Sequence, residues 1–111
     1  MTTTISFEDF SKIDLRIGTI IEVSNFEEAH KPAYKLTIDF GDLGIKKSSA
    51  QITSLYSEQD LLNKQIVANV NFCNKQIANY SSQCLVLGAS GDSKVILLCP
   101  EDSVPNGTSV S

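Results

Sequence analysis

An all-β barrel is the fold class that this 111-residue sequence predicts, on three observations. Apolar and polar residues alternate with a period of two from Tyr34 to Phe40, which is the pattern of a strand with one buried face. The segments run helix, three strands, short helix, strands, an order in which strands dominate. Gly18 sits inside the first long strand, where a small barrel needs a residue without a side chain so that one strand can bend and serve both sheets.

Ser6 and Asp9 have the spacing of a capping box, and Phe7, Phe10 and Ile13 share one helical face, so a short helix is predicted over 7–12, packed by that face. From Asp14 the period becomes two. Leu15, Ile17, Ile21 and Val23 point one way and Arg16, Gly18, Ile20 and Glu22 the other, which defines the first strand. Pro32 disfavours a ladder position, and beyond it Tyr34, Leu36, Ile38 and Phe40 form the core face of the second strand. Gly41 to Gly44, GDLG, tolerates positive φ and joins this strand to a third from Ile45 to Ile52 as an antiparallel hairpin. Ser57 and Asp60 repeat the capping spacing ahead of Leu61 and Leu62, placing one or two helical turns before the fourth strand, Gln65 to Phe72. A fifth strand is predicted from Gln83 to Ala89, a turn from Ser90 to Ser93, and a last strand from Lys94 to Cys99.

This order is that of an OB-fold: a five-stranded Greek-key barrel with a short N-terminal helix, a short helix between strands three and four, and an extra C-terminal strand. An SH3-like barrel is the competitor, and the bend marked by Gly18 favours the OB arrangement. The apolar fraction of 41% and charged fraction of 20% suit one core, and residues 1–111 are expected to form a single domain. No apolar run reaches the ~18 to 20 residues of a membrane span, and Met1 to Ile5 lacks the basic start of a secretory signal, so the expected compartment is the cytoplasm, with no membrane insertion.

Catalysis finds no support in the residues. The single histidine, His30, stands beside Lys31 and Pro32 without a nucleophile motif, and phosphate-binding, HExxH and calcium loops are absent. Gly88 to Gly91, GASG, resembles an RNA-clamping loop only in its letters and reads as a hairpin turn. Cys73, Cys84 and Cys99 are odd in number, with no CxxC pair, and are expected to be small, partly buried thiols rather than disulfides or zinc ligands. Neither a catalytic residue, a metal nor a cofactor is therefore expected.

Binding is the better-supported class. The net charge of −4 argues against coating nucleic acid by bulk electrostatics, yet Lys31, Lys35, Lys46 and Lys47 gather with His30 in one stretch. Lys47, Ser49 and Gln51 fall on one face of the third strand, where a purely structural strand would favour β-branched residues, and their donors suit a peptide backbone or a phosphate-ribose chain. The competing reading is a solvated face whose lysines prevent sheet-to-sheet pairing. A second patch, Asn71 to Ser82, holds Phe72, Ile77 and Tyr80 among asparagines in a predicted loop. Phe72 is expected to plug the barrel, while Ile77 is open between core and binding surface.

The segments FSKIDLRIGTI at Phe10 to Ile20, KPAYKLTIDFGDLGIKKSSAQIT at Lys31 to Thr53, NFCNKQIA at Asn71 to Ala78, LVLGA at Leu85 to Ala89 and VPNGT at Val104 to Thr108 resemble, nearly end to end, the bacterial CsaA family of export-related chaperones. That family is built on the EMAP-II-like tRNA-binding OB domain. The resemblance implies a homodimer that binds unfolded or precursor polypeptides without ATP, with kinship to domains that bind tRNA through the same face. It further implies that Arg16, Lys35, Lys47, Ser49, Gln51 and Asn71 are polar contacts, and that Phe72 and Ile77 belong to an apolar pocket or its support. Cys73 departs from the proline that usually follows NF, and Cys84 from an acidic residue in the strand-five motif. A structure-specific tRNA-binding module is the alternative reading.

Overall fold

The computed structural model describes residues 3–92 and 94–111, so Met1, Thr2 and the Ser93 end of the predicted turn lie outside the described residues. Its centre is a six-stranded antiparallel sheet curled into a nearly closed OB barrel. After helix α1, Phe7–Ser11, come strands β1, Leu15–Asn25, β2, Tyr34–Asp39, and β3, Ile45–Ala50. Helix α2, Glu58–Leu61, leads into β4, Gln65–Asn69. The hairpin β5, Lys75–Ile77, and β6, Tyr80–Ser82, is followed by β7, Leu85–Val86, β8, Gly88–Ser90, β9, Val95–Leu97, and β10, Ser109–Val110. The main ladder runs β3-β2-β1-β4-β7, with β10 added alongside β1.

β2 realises the predicted alternation in full. Tyr34, Leu36, Ile38 and Phe40 are buried and join Ile20, Ile52, Leu61, Ile66 and Leu97 in one core. The capping signals are also borne out: Ser6 accepts from the Asp9 amide, and Ser57 and Asp60 exchange both bonds of a capping box. These bonds hold the Asp60 carboxylate below its ordinary pKa, with the amide of Ser57 the largest cause and its hydroxyl the next. Gly18 is needed for a close approach, since a Cβ there would lie 2.6 Å from Ile38 Cγ2 and 2.7 Å from the Phe40 ring, while the irregularity of the strand falls later, between Ile20 and Glu22.

The first strand departs from simple alternation. Its pairing with β2 slips between Ile20 and Glu22, a bulge that leaves Ile21 unpaired and exchanges the faces of everything after it. Ile20, predicted on the outer side, is fully buried just ahead of the bulge; Ile21, predicted with the core set, is the bulged residue and is exposed; and Val23 beyond it packs against the core as predicted. The predicted packing of α1 is made only in part, because Phe10 is half-buried while Phe7 is 80% exposed and Ile13 42%, and no residue of the helix is fully buried.

β4 stops at Asn69 rather than reaching Phe72. The Asn69 side chain accepts the Asn71 amide at 3.1 Å, forming an Asx turn that ends the ladder. The fifth predicted strand divides in two, because the chain leaves β4 at Leu87 and pairs onward with β9 through Gly88–Ser90. Barrel closure is made from β3. Gln83 N donates to Lys47 O at 2.7 Å, Lys47 N donates to Gln83 Oε1 at 2.9 Å, and Ser48 Oγ donates to Cys84 O at 3.0 Å.

The thiols differ from expectation: Cys73 and Cys99 are exposed and only Cys84 is buried. The C-terminal segment is held by a polar cluster in which Gln65 Nε2 donates to Val104 O and to Asn106 Oδ1, and Thr19 Oγ1 donates to Asn106 Oδ1. Gly107, at φ +90°, then brings the chain so close to Phe40 O that a side chain could not fit. Among the described residues, no helix is long and apolar enough to cross a membrane.

Candidate functional site

A concavity of about 590 Å³ opens where β1 ends and β3 finishes. One wall is the 26–33 loop, contributing Phe26, Ala29, Lys31 and Ala33. The opposite wall is the β5–β6 hairpin, contributing Lys75 and Ile77, and Ser49 and Gln51 also line the concavity. This hairpin lies in the segment predicted as a loop. Its two-residue connection is Ala78-Asn79, with Ala78 at φ +52° in place of the Asn-Gly or Asp-Gly that signals such a turn in a sequence.

Phe26 and Tyr80 hold these walls together. Their rings meet edge to face at 5.3 Å between centroids, and the Tyr80 hydroxyl donates to Leu36 O at 3.3 Å and to Ser48 O at 3.4 Å. Phe26 was not among the predicted site residues; the signal available was a lone aromatic just after a strand and before a Pro-containing loop. Burial pushes the Tyr80 hydroxyl up to about 12, with nearby Cys84 adding to the shift and its bond to Ser48 opposing it. Burial likewise raises the Cys84 thiol to about 11, against the smaller effects of the Ser48 hydroxyl and the Lys46 charge. Both groups are therefore neutral at physiological pH.

The predicted site residues divide into three groups. Lys31, Ser49, Gln51 and Ile77 come together around the concavity. Lys35 and Lys47 line a shallower groove beside it, with Glu22, Thr37 and Tyr80. Lys35 also pairs with Glu28 at 3.7 Å and lies over both aromatic rings, whereas Lys47 has no ion pair among the described residues. Lys46 is not on the Lys47 face: alternation turns it aside in register with Ile38, near Cys84.

Arg16 and Asn71 lie towards the opposite end of β1, around a depression formed with α1 and the chain terminus. Arg16 Nε donates to Asp14 Oδ1 at 2.6 Å and Nη1 donates to Gly107 O at 3.0 Å. Asn71 Nδ2 donates to Lys12 O at 2.6 Å, and its Oδ1 accepts the Asp14 amide at 2.9 Å. Phe72 does not plug the barrel. It is 57% exposed, because the Asx turn at Asn69 carries it out of the ladder, and it does not line the concavity. No group of metal-ligating side chains occurs among the described residues.

Residues 15–109 match the family described as "Putative tRNA binding domain". Over 106 residues the chain is 39% identical to the methionine–tRNA ligase of Pyrococcus furiosus, covering 96% of this chain but 14% of the ligase. The chain thus spans about one seventh of the length of that curated relative, and the shared part corresponds to a tRNA-binding domain. Among solved structures, the chaperone CsaA of Bacillus anthracis superposes with a TM-score of 0.94 at 50% identity, covering 98% of this chain and 100% of that one. The CsaA chaperone protein of Picrophilus torridus superposes with a TM-score of 0.91 at 55% identity, covering 97% and 100%. With the barrel, the concavity and near-complete coverage in agreement, the chain belongs to the tRNA-binding-domain family and, within it, to the CsaA family.

Proposed function

We propose that this chain binds segments of unfolded or precursor polypeptide, without ATP and without chemistry, as a cytoplasmic chaperone whose clients include proteins for export. The observation that carries this reading is the 590 Å³ concavity, whose Phe26, Ala29, Ala33 and Ile77 suit an apolar side chain while Lys31, Lys75, Ser49 and Gln51 offer donors to a backbone or an acidic neighbour. Likeness to proteins named as chaperones supports it.

Binding of tRNA is the second reading, supported by the matching domain family. Electrostatics limits its strength. Lys35 is paired with Glu28 and Lys46 is turned aside, which leaves Lys31, Lys47 and Lys75 to meet phosphates. Neutralising ~3 phosphates gives a log-log salt slope of about −2 per protomer with the single-strand coefficient. Of the rings that line the concavity, Phe26 is buried and presents no face on which a base could stack, and the exposed His30 imidazole is the one stacking surface it offers.

The test compares peptide-array binding with tRNA gel shifts at two salt concentrations, for wild type and Lys47→Ala. Peptides are expected to bind wild type at physiological salt, with Lys47→Ala weakening acidic peptides by about three- to fivefold. Tight tRNA binding at physiological salt with no binding of unfolded peptides would reverse the two readings. Assembly as a homodimer goes with the proposal and is supported by the exposed Ile5, Phe7 and Ile13 beside the β1–β10 edge. Light scattering should return twice the 12.1 kDa protomer mass, and a clean monomer at micromolar concentration would exclude it.

A further inference from the structure

The two walls of the concavity are short, polar segments. Neither carries the long apolar alternation that seats β2 in the core, so their mutual position depends on a few contacts. Lys35 stands at the centre of these. It is carried on β2, and its Nζ lies 4.9 Å from the Phe26 ring centroid, 5.3 Å from that of Tyr80 and 3.7 Å from Glu28 Oε1. Phe26 and Glu28 belong to the 26–33 loop, Tyr80 to the hairpin. One ammonium thus touches the barrel's strand, the loop and the hairpin.

We propose that Lys35 is a positioning residue that joins the 26–33 loop to the β5–β6 hairpin, so that the concavity is formed before a ligand arrives, and that it does not contact the ligand itself. An ammonium held between two ring faces and a carboxylate has few free directions left for a further partner, unlike Lys47 in the groove alongside. Holding the walls in place removes an ordering cost that the ligand would otherwise carry. This deepens the polypeptide-binding reading and rests on it for the identity of the ligand, but the joining of the two walls can be observed in the free protein.

The experiment measures amide hydrogen exchange of the full, ligand-free chain for wild type, Lys35→Gln, Lys35→Arg and Glu28→Gln. It is paired with melting curves and with the affinity for a short fluorescein-labelled peptide of alternating Leu and Glu. Lys35→Gln is expected to accelerate exchange in 26–33 and 75–82 by about tenfold, through loss of two cation–π contacts and one ion pair together, while the melting temperature stays at the wild-type value. Arg should restore protection, because it keeps the charge, the ring contacts and the carboxylate pair. Glu28→Gln, at an exposed residue that the fold does not need, should give a smaller acceleration in the same two segments. Peptide affinity should fall by no more than the exchange factor.

Wild-type exchange in both segments together with weakened peptide binding would make Lys35 a direct ligand contact and overturn the proposal. Acceleration throughout the barrel with a lowered melting temperature would overturn it as well, by making the role one of general stability. If local exchange accelerates as expected but wild type fails to bind peptide, the positioning role stands and the polypeptide reading fails.

Discussion

At one end of β1, Arg16 and Asn71 direct their polar groups at Asp14, Gly107 and Lys12, whereas at the other end Lys31, Ser49 and Gln51 surround an open concavity. Both sets are charged or amide side chains of the kind that bind ligands. The difference lies in what backbone stands nearby. The start of β1 meets the end of α1, the Asx turn after β4 and the arriving C-terminal strand, all of which present amides and carbonyls to be satisfied. The far end of β1 is paired with β2, and the 26–33 loop and the β5–β6 hairpin beyond it stand apart around the concavity. Residue type does not distinguish an open end from a closing end; the backbone groups standing nearby do.

The largest effect that would sharpen this contrast comes from alkali. Cys84 and Tyr80 lie under the concavity end, where the Ser48–Cys84 bond closes the barrel and Tyr80 anchors the hairpin. Cys84 has its folded pKa raised from 9.0 to about 11, so the folded state retains a proton that the unfolded chain releases. Its contribution to stability is complete below pH 9 and is lost as pH rises through about 11. A shift of that size corresponds to a loss of about 3 kcal/mol. In Cys84→Ala the alkaline loss should begin only near pH 10, the ordinary value of Tyr80, whose burial still raises it in the folded state. Melting curves from pH 7 to about 11 check this, and an onset near pH 9 in the variant would remove Cys84 from the account.

A smaller effect is expected at the closing end. Asn71→Ala removes acceptors for the Asp14 amide and the Asn69 amide nitrogen and the donor to Lys12 O, so stability should fall by about 1 to 2 kcal/mol. Peptide affinity should not change. Denaturant titration together with peptide anisotropy measures both, and a loss of affinity without a loss of stability would return Asn71 to the binding set.

How far this was legible in the sequence followed the same division. The alternation of β2 and the two capping signals are local patterns whose physical cause lies within a few residues, and with the element order they pointed to the OB barrel. The bulge at Ile21 was not legible, because an unbroken run of apolar residues from Ile20 to Ile21 fits either face equally well. The hairpin at 75–82 was hidden by its Ala-Asn turn, and the outward course of Phe72 by a side-chain bond two residues earlier. Lys31, Ser49, Gln51 and Ile77 line one concavity, of which strand periodicity alone puts Ser49 and Gln51 on a common face. Arg16, Asn71 and Lys35 needed three-dimensional partners that lie far away in the chain or on another element.

Ile77→Ala gives the smallest effect and separates the two ends of β1 most cleanly. Ile77 is half-buried on the wall of the concavity and pairs with Tyr80 across the hairpin turn, so truncation removes apolar surface that faces the gap rather than the core. Losing three partly covered carbons is worth about 1 kcal/mol to a ligand that packs on them, which is a fall of roughly fivefold in peptide affinity. Stability should change by less than about 0.5 kcal/mol, because the residue lies outside the main core cluster. With Asn71→Ala this makes a double dissociation, each variant altering the quantity that the other leaves alone. If Ile77→Ala lowers stability as much as Asn71→Ala while peptides bind it normally, the hairpin is a second closing element of the barrel, and binding must be sought in the Lys47 groove instead.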